Sequence, residues 1–136
     1  MNEHVMAIRM KIPDNTAYTA QVTLQRLGVE VARVERADIW YFTGGDASRL
    51  RNRLERDETV FNPNKHRLAM LPDIGPREGE VWIEPFSVDP AAQALRARRY
   101  VGWRLFDAAN SPVRRSVVEA AVAALLCNPA IERPIY

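Results

Sequence analysis

The chain opens on a strict alternation. In the run from Val5 to Ile12, Met6, Ile8, Met10 and Ile12 fall on one side and Ala7, Arg9 and Lys11 on the other. A period of two predicts a β-strand with one buried face. Pro13-Asp-Asn-Thr16 breaks that strand and supplies helix-capping side chains. Ala17, Ala20, Leu24 and Leu27 then share one helical face, and Gly28 stands where a helix ends in the left-handed conformation. Val29 to Arg36 alternates again. Ala37-Asp38 reads as a turn, and Ile39 to Thr43 as a third strand rich in β-formers. After Gly44-Gly45, Asp46 caps a second helix, with Ala47, Leu50 and Leu54 inward and Arg49, Arg51, Arg53 and Arg56 outward. Asn62-Pro63 stops this helix, because the residue before proline is driven out of the α region. Arg67 to Leu71 is the fourth strand. The order β-α-β-β-α-β is the ferredoxin-like split unit.

Residues 73–79, with Gly75 and Pro76 following Pro72, read as a linker between a first half at 1–72 and a second at 80–136. The second half repeats the theme. Glu80 to Phe86 is a strand, with Pro85 pointing to an edge position. Asp89-Pro90 starts a helix that turns Ala91, Ala94 and Leu95 inward. Tyr100 to Phe106 is a strand, Asp107 to Ser111 a turn, and Pro112-Val113 a short return strand. Arg115 to Leu126 is helical, with Val118, Ala121, Val122 and Leu125 on one stripe. Asn128-Pro129 stops it, and Ile131 to Tyr136 forms a last strand. The predicted fold is α+β: two ferredoxin-like βαββαβ halves forming a pseudo-dimer, the second with a shortened hairpin.

The two helix exits align. Asn62, Pro63 and Arg67 recur as Asn128, Pro129 and Arg133 at the same internal spacing. An internal duplication explains this, although Asn-Pro is also a common helix stop.

Composition narrows the class. Apolar residues make up 47% of the 136 and charged residues 26%, a globular balance. No apolar run approaches the roughly 18–20 residues that span a bilayer, and Met1 to Met10 has no charged-then-apolar leader pattern. A cytoplasmic protein is expected. A formal charge of +2 does not demand a nucleic-acid partner. The single cysteine, Cys127, rules out an intrachain disulfide and reads as a buried structural thiol.

The segment Ala123 to Glu132, running through Leu-Leu-Cys-Asn-Pro-Ala-Ile-Glu, resembles the ending of the PurS family, the small subunit of bacterial formylglycinamidine ribonucleotide synthetase. Val88-Asp89-Pro90 is similar to that family's Leu-Asp-Pro helix opening. Gln25 to Gly28 followed by Val31 to Arg36 is similar to its Leu-Gly and Val-Arg-Val strand. The resemblance covers most of the chain in outline. The first helix opening (Pro-Asp-Asn-Thr) and the Ala37-Asp38 hairpin depart from the family pattern. Chains of the family are about half as long and dimerise, so the resemblance implies a tandem protein carrying its own pseudo-dimer. It also implies a non-catalytic role, bridging glutaminase and synthetase subunits in purine biosynthesis.

A search for chemistry gives no catalytic set. His4, His66 and Cys127 lack the spacing of metal ligands, and no metal or cofactor is expected. Asp57-Glu58 point apart. Gly44-Gly45 precedes a helix whose positive end Asp46 already occupies. Asn62, Asn64, Lys65, His66 and Arg67 form the densest polar cluster, which fits a carboxylate, a phosphate or a protein partner as well as a plain hydrated loop. With Asn128 and Arg133 from the repeat, these are the candidate ligand- or partner-binding residues. Trp40, Tyr41 and Phe42 raise base stacking as in RNA-recognition modules, but the first strand offers no aromatic partner, and packing is the simpler role. A binding module for RNA or a small anionic ligand is the alternative function. A homo-oligomer is compatible with either reading.

Overall fold

The computed structural model describes residues 3–136. Met1 and Asn2, the start of the segment searched for a leader, lie outside them. The elements run β1 (His4–Met10), α1 (Asn15–Arg26), β2 (Arg33–Phe42), α2 (Ala47–Arg56), β3 (His66–Leu71), β4 (Glu80–Pro85), α3 (Pro90–Ala94), β5 (Arg98–Phe106), α4 (Arg115–Ala121) and β6 (Glu132–Ile135). A π-helical turn, Val122–Leu126, continues α4. The protein is α+β, with one six-stranded antiparallel sheet in the order β3-β1-β2-β5-β4-β6.

Local chemistry starts the helices. Asp14, Asp46 and Asp89 each accept a backbone N–H from the first turn of α1, α2 and α3. Gly28 closes α1 at φ +85°, as its position predicts. Several inward positions move, and in α3 Ala92 rather than Ala94 is buried. Leu27 caps α1 and is exposed, and Leu126 replaces Leu125 as the buried residue. The π turn widens the helix, which shifts the inward face along by a residue.

The largest departure is at Ala37-Asp38. No turn forms there, and β2 is one ten-residue strand. Ala37 lies opposite Gly102, and Asp38 pairs with Ile8 on one side and Val101 on the other. Backbone pairing on both sides holds the strand straight through. Ala-Asp also lacks the glycine that a two-residue hairpin favours. Val29 to Ala32 is an irregular lead-in, tied to α1 by the Gln25 side chain on the Val31 carbonyl. Each half therefore carries three strands where the sequence predicts four. The predicted return strand at Pro112 is a single bridge to Phe106.

Direct cross-strand partners share a sheet face, so register assigns the faces. All helices lie on one. Leu24 of α1, Val118 and Ala121 of α4 and Val122 of the π turn pack on Val34, Val81, Ile83 and Leu105. Leu50 and Leu54 of α2 and Ala92 of α3 pack on Met6, Ile8, Trp40, Phe42 and Leu68. The helix-free face is apolar too: Val5, Ala7, Ile39, Trp82 and Tyr100 are buried there. The linker after β3 must pass from that strand's end to the far end of β4. Its Arg77 bonds Glu80, and its Glu78 carbonyl accepts from Arg104, both on this face.

The register repeats from half to half. Met6 faces Trp40 as Val81 faces Trp103, and Ile8 faces Asp38 as Ile83 faces Val101. Arg9 faces Arg67 as Glu84 faces Arg133. The centre of this pattern is the Asp38–Val101 pair of β2 and β5.

Candidate functional site

On the helix face a groove of about 570 Å³ runs over the middle of the sheet, between the two helix pairs. Its charged residues come from corresponding places in the two halves. Asp14, the cap of α1, accepts from Arg36 of β2 at 3.1 and 3.3 Å. Asp89, the cap of α3, accepts from Arg99 of β5 at 3.0 Å. The central Asp38 breaks the symmetry. It takes Arg99 in a two-toothed contact at 2.8 Å on each oxygen and also accepts the Trp40 indole N–H at 3.1 Å. The Arg99 guanidinium stands 4.7 Å over the Trp40 ring. Bonding to Asp38 raises the pKa of Arg99 further and locks its charge. Arg99 is thus saturated by two carboxylates and a ring, whereas Arg36 has Asp14 alone.

His66 lines the same groove. Its Nδ1 accepts the Asn62 backbone N–H at 2.9 Å, which places the ring proton on Nε2. Among the described residues no three of His, Cys, Asp and Glu are grouped to hold a metal ion. Nor is any helix long and apolar enough to cross a membrane.

The candidate residues read from the sequence are spread over three places. His66 alone reaches the groove. Asn62 organises its own turn: its Oδ1 accepts from Asn64 N, and its carbonyl from Lys65 N and His66 N. Asn64 and Lys65 are exposed, and the Lys65 carbonyl accepts from Lys11 N. Arg67 points to the helix-free face, opposite Arg9. Asn128 lies at the diagonally opposite corner of the sheet, and Arg133 is ion-paired with Glu84 at 2.6 Å.

The two Asn-Pro turns are built alike. Asn128 Oδ1 accepts from Ala130 N, its carbonyl from Ile131 N and Glu132 N, and its own N–H donates to the Glu132 carboxylate as Asn62 N does to His66. The Ile131 carbonyl accepts from Phe86 N as that of Lys65 does from Lys11 N. The chain matches no known family model and no curated protein. What can be said of its role therefore rests on this repeated geometry and on the groove.

Sequence reasoning missed Asp14, Arg36, Asp38, Asp89 and Arg99 as one group. Asp14 and Asp89 were visible only as caps. Arg36 and Asp38 lie two apart on one strand face, a signal that disappears once Ala37-Asp38 is read as a turn. Trp40 and Phe42 are buried beneath α2, and only Tyr41 of that trio turns to the helix-free face.

Proposed function

We propose that this protein is a tandem PurS-like subunit, in which two fused, ferredoxin-like-derived halves take the place of a dimer and bridge the glutaminase and synthetase subunits of a formylglycinamidine ribonucleotide synthetase. The observation that carries the reading is the repeated Asn-Pro turn. The same five hydrogen bonds recur at Asn62 and Asn128, the second of which lies in the segment that resembles the family ending. A shared helix stop needs only the proline; it does not need the asparagine amide, the acceptor four residues on and the cross-strand tie to match as well. The pairing of β2 with β5 gives further support, since it joins the halves as two chains of a dimer would be joined. In this reading each half has dispensed with one hairpin strand of the split unit, and the partner half occupies its place beside β2. The role is one of holding partners together, and the chemistry belongs to them.

The test is a tagged pull-down of the full chain from native lysate, read by mass spectrometry, with reconstitution from purified subunits. Co-purification of the glutaminase and synthetase subunits in fixed proportion is the expected result. Failure of purified subunits to associate with the chain, under conditions where they associate with an authentic small subunit, overturns the proposal.

A further inference from the structure

A second groove, of about 850 Å³, opens where β1 stops short of β2 and continues onto the helix-free face. Val34 of β2 has no strand partner on that side, and the Gln21 side chain takes its N–H instead. Arg9, Arg67 and Arg77 line the groove, together with Ile12, Tyr18 and Leu71.

Its charges are poorly matched. Arg9 and Arg67 stand directly opposite each other on β1 and β3. Such like-charged partners have Cβ atoms only about 5 Å apart and destabilise a sheet. The Arg67 side chain has no hydrogen bond or ion pair among the described residues, its backbone alone being held in the β1–β3 ladder. Arg9 reaches only Glu35, at 3.7 Å, and Arg33 holds that carboxylate more closely. Arg77 is fixed by the buried Glu80, which grips it through both carboxylate oxygens and its backbone N–H. The other acids nearby are Asp14, committed to Arg36 and the α1 cap, and Asp73, which acts on Arg77. Burial lowers the pKa of the neighbouring Arg104, and Arg77 adds to the effect. The groove also has an apolar lip, where Tyr18 is 64% and Ile12 48% exposed.

We propose that this groove binds a small organic phosphate, with the phosphate between Arg9 and Arg67 and the organic part against Ile12 and Tyr18. Guanidiniums arriving from two neighbouring strands suit a tetrahedral dianion, which accepts from more than one direction. A planar carboxylate is filled by one guanidinium fork. A bound dianion also removes the Arg9–Arg67 repulsion that the empty sheet carries. The chain's formal charge of only +2 favours a small ligand over a nucleic-acid strand. This inference is independent of the bridging role, and either stands without the other.

The test uses the full chain and phenyl phosphate as probe, by calorimetry at low ionic strength, beside inorganic phosphate, benzoate and a single-stranded oligonucleotide. Phenyl phosphate is expected to bind more tightly than the other three, and Arg67→Gln to weaken it by about tenfold or more. Arg67 is exposed, so the variant keeps its fold. Without probe it should melt above wild type, since the repulsion is gone, and the probe should raise its melting temperature less. Three results overturn the proposal: no phenyl phosphate binding by wild type, equal binding by Arg67→Gln and Arg9→Gln, or preferential binding of the oligonucleotide.

Discussion

Gly102 and Asp38 show how much single residues at the centre of the sheet decide. A Cβ on Gly102 would lie 2.8 Å from the Ile39 side chain and 3.5 Å from Trp82. Ile39 is fully buried and has little room to yield. Gly102→Ala should therefore destabilise by about 1–3 kcal/mol, seen as a lower thermal midpoint by circular dichroism. Adding Ile39→Val should recover part of the loss, and an unchanged midpoint for Gly102→Ala would refute this packing. Asp38 anchors both Arg99 and Trp40, with less than a third of either charged side chain exposed. Asp38→Ala leaves Arg99 with Asp89 alone and the indole N–H unpaired. A loss of about 2 kcal/mol or more is expected in urea denaturation.

α2 buries only Leu50 and Leu54 and depends on its cap, where Asp46 accepts from both Ser48 N and Arg49 N. Asp46→Ala should cost about 0.5–2 kcal/mol and raise amide hydrogen exchange first in α2. At the edge of the sheet, Arg51 of α2 reaches the outward carbonyl of Leu68 on β3, covering part of an edge open to pairing. The two Asn-Pro turns offer a comparison of elements. Asn62→Ala and Asn128→Ala remove the same side-chain bond from the same kind of turn. Their unfolding free energies in urea should fall by similar amounts, about 1 kcal/mol each, and a severalfold difference would show that the turns are not equivalent in energy.

For the whole molecule, the β2–β5 seam matters most. The register centres on Asp38 opposite Val101. A first half alone, residues 1–72, would keep the β1–β2 pairing but leave the other edge of β2 without β5 and its Ile39 and Trp40 short of cover. Pairing two copies in the same register would set Asp38 against Asp38 without Arg99. The isolated half is therefore expected to stay poorly folded, and its Asp38→Val variant to form a dimer with cooperative unfolding. Size-exclusion chromatography with light scattering reads the difference. A folded monomer of residues 1–72 would contradict the view that the halves complete one another.

Much of this architecture is local and legible in the residues. Asp14, Asp46 and Asp89 cap helices through side chains two or three residues from their targets, and Gly28 closes α1 because a left-handed residue is cheapest there as glycine. The alternation of β1 is equally local, and so is the helix end before Asn128-Pro129; with them came the α+β class, whereas α2 stops at Arg56, well short of Asn62-Pro63. Other features depend on residues far apart in the chain. Ala37-Asp38 became the middle of a strand because β5, more than sixty residues away in sequence, supplies the other edge. Val5, Ala7 and Trp82 are buried on a face without helices, and the carboxylate–arginine groove joins two halves whose charges look unrelated in one dimension. The reason is range: a cap or a turn is decided over a few bonds, whereas strand pairing and charge matching are decided only when the chain closes on itself.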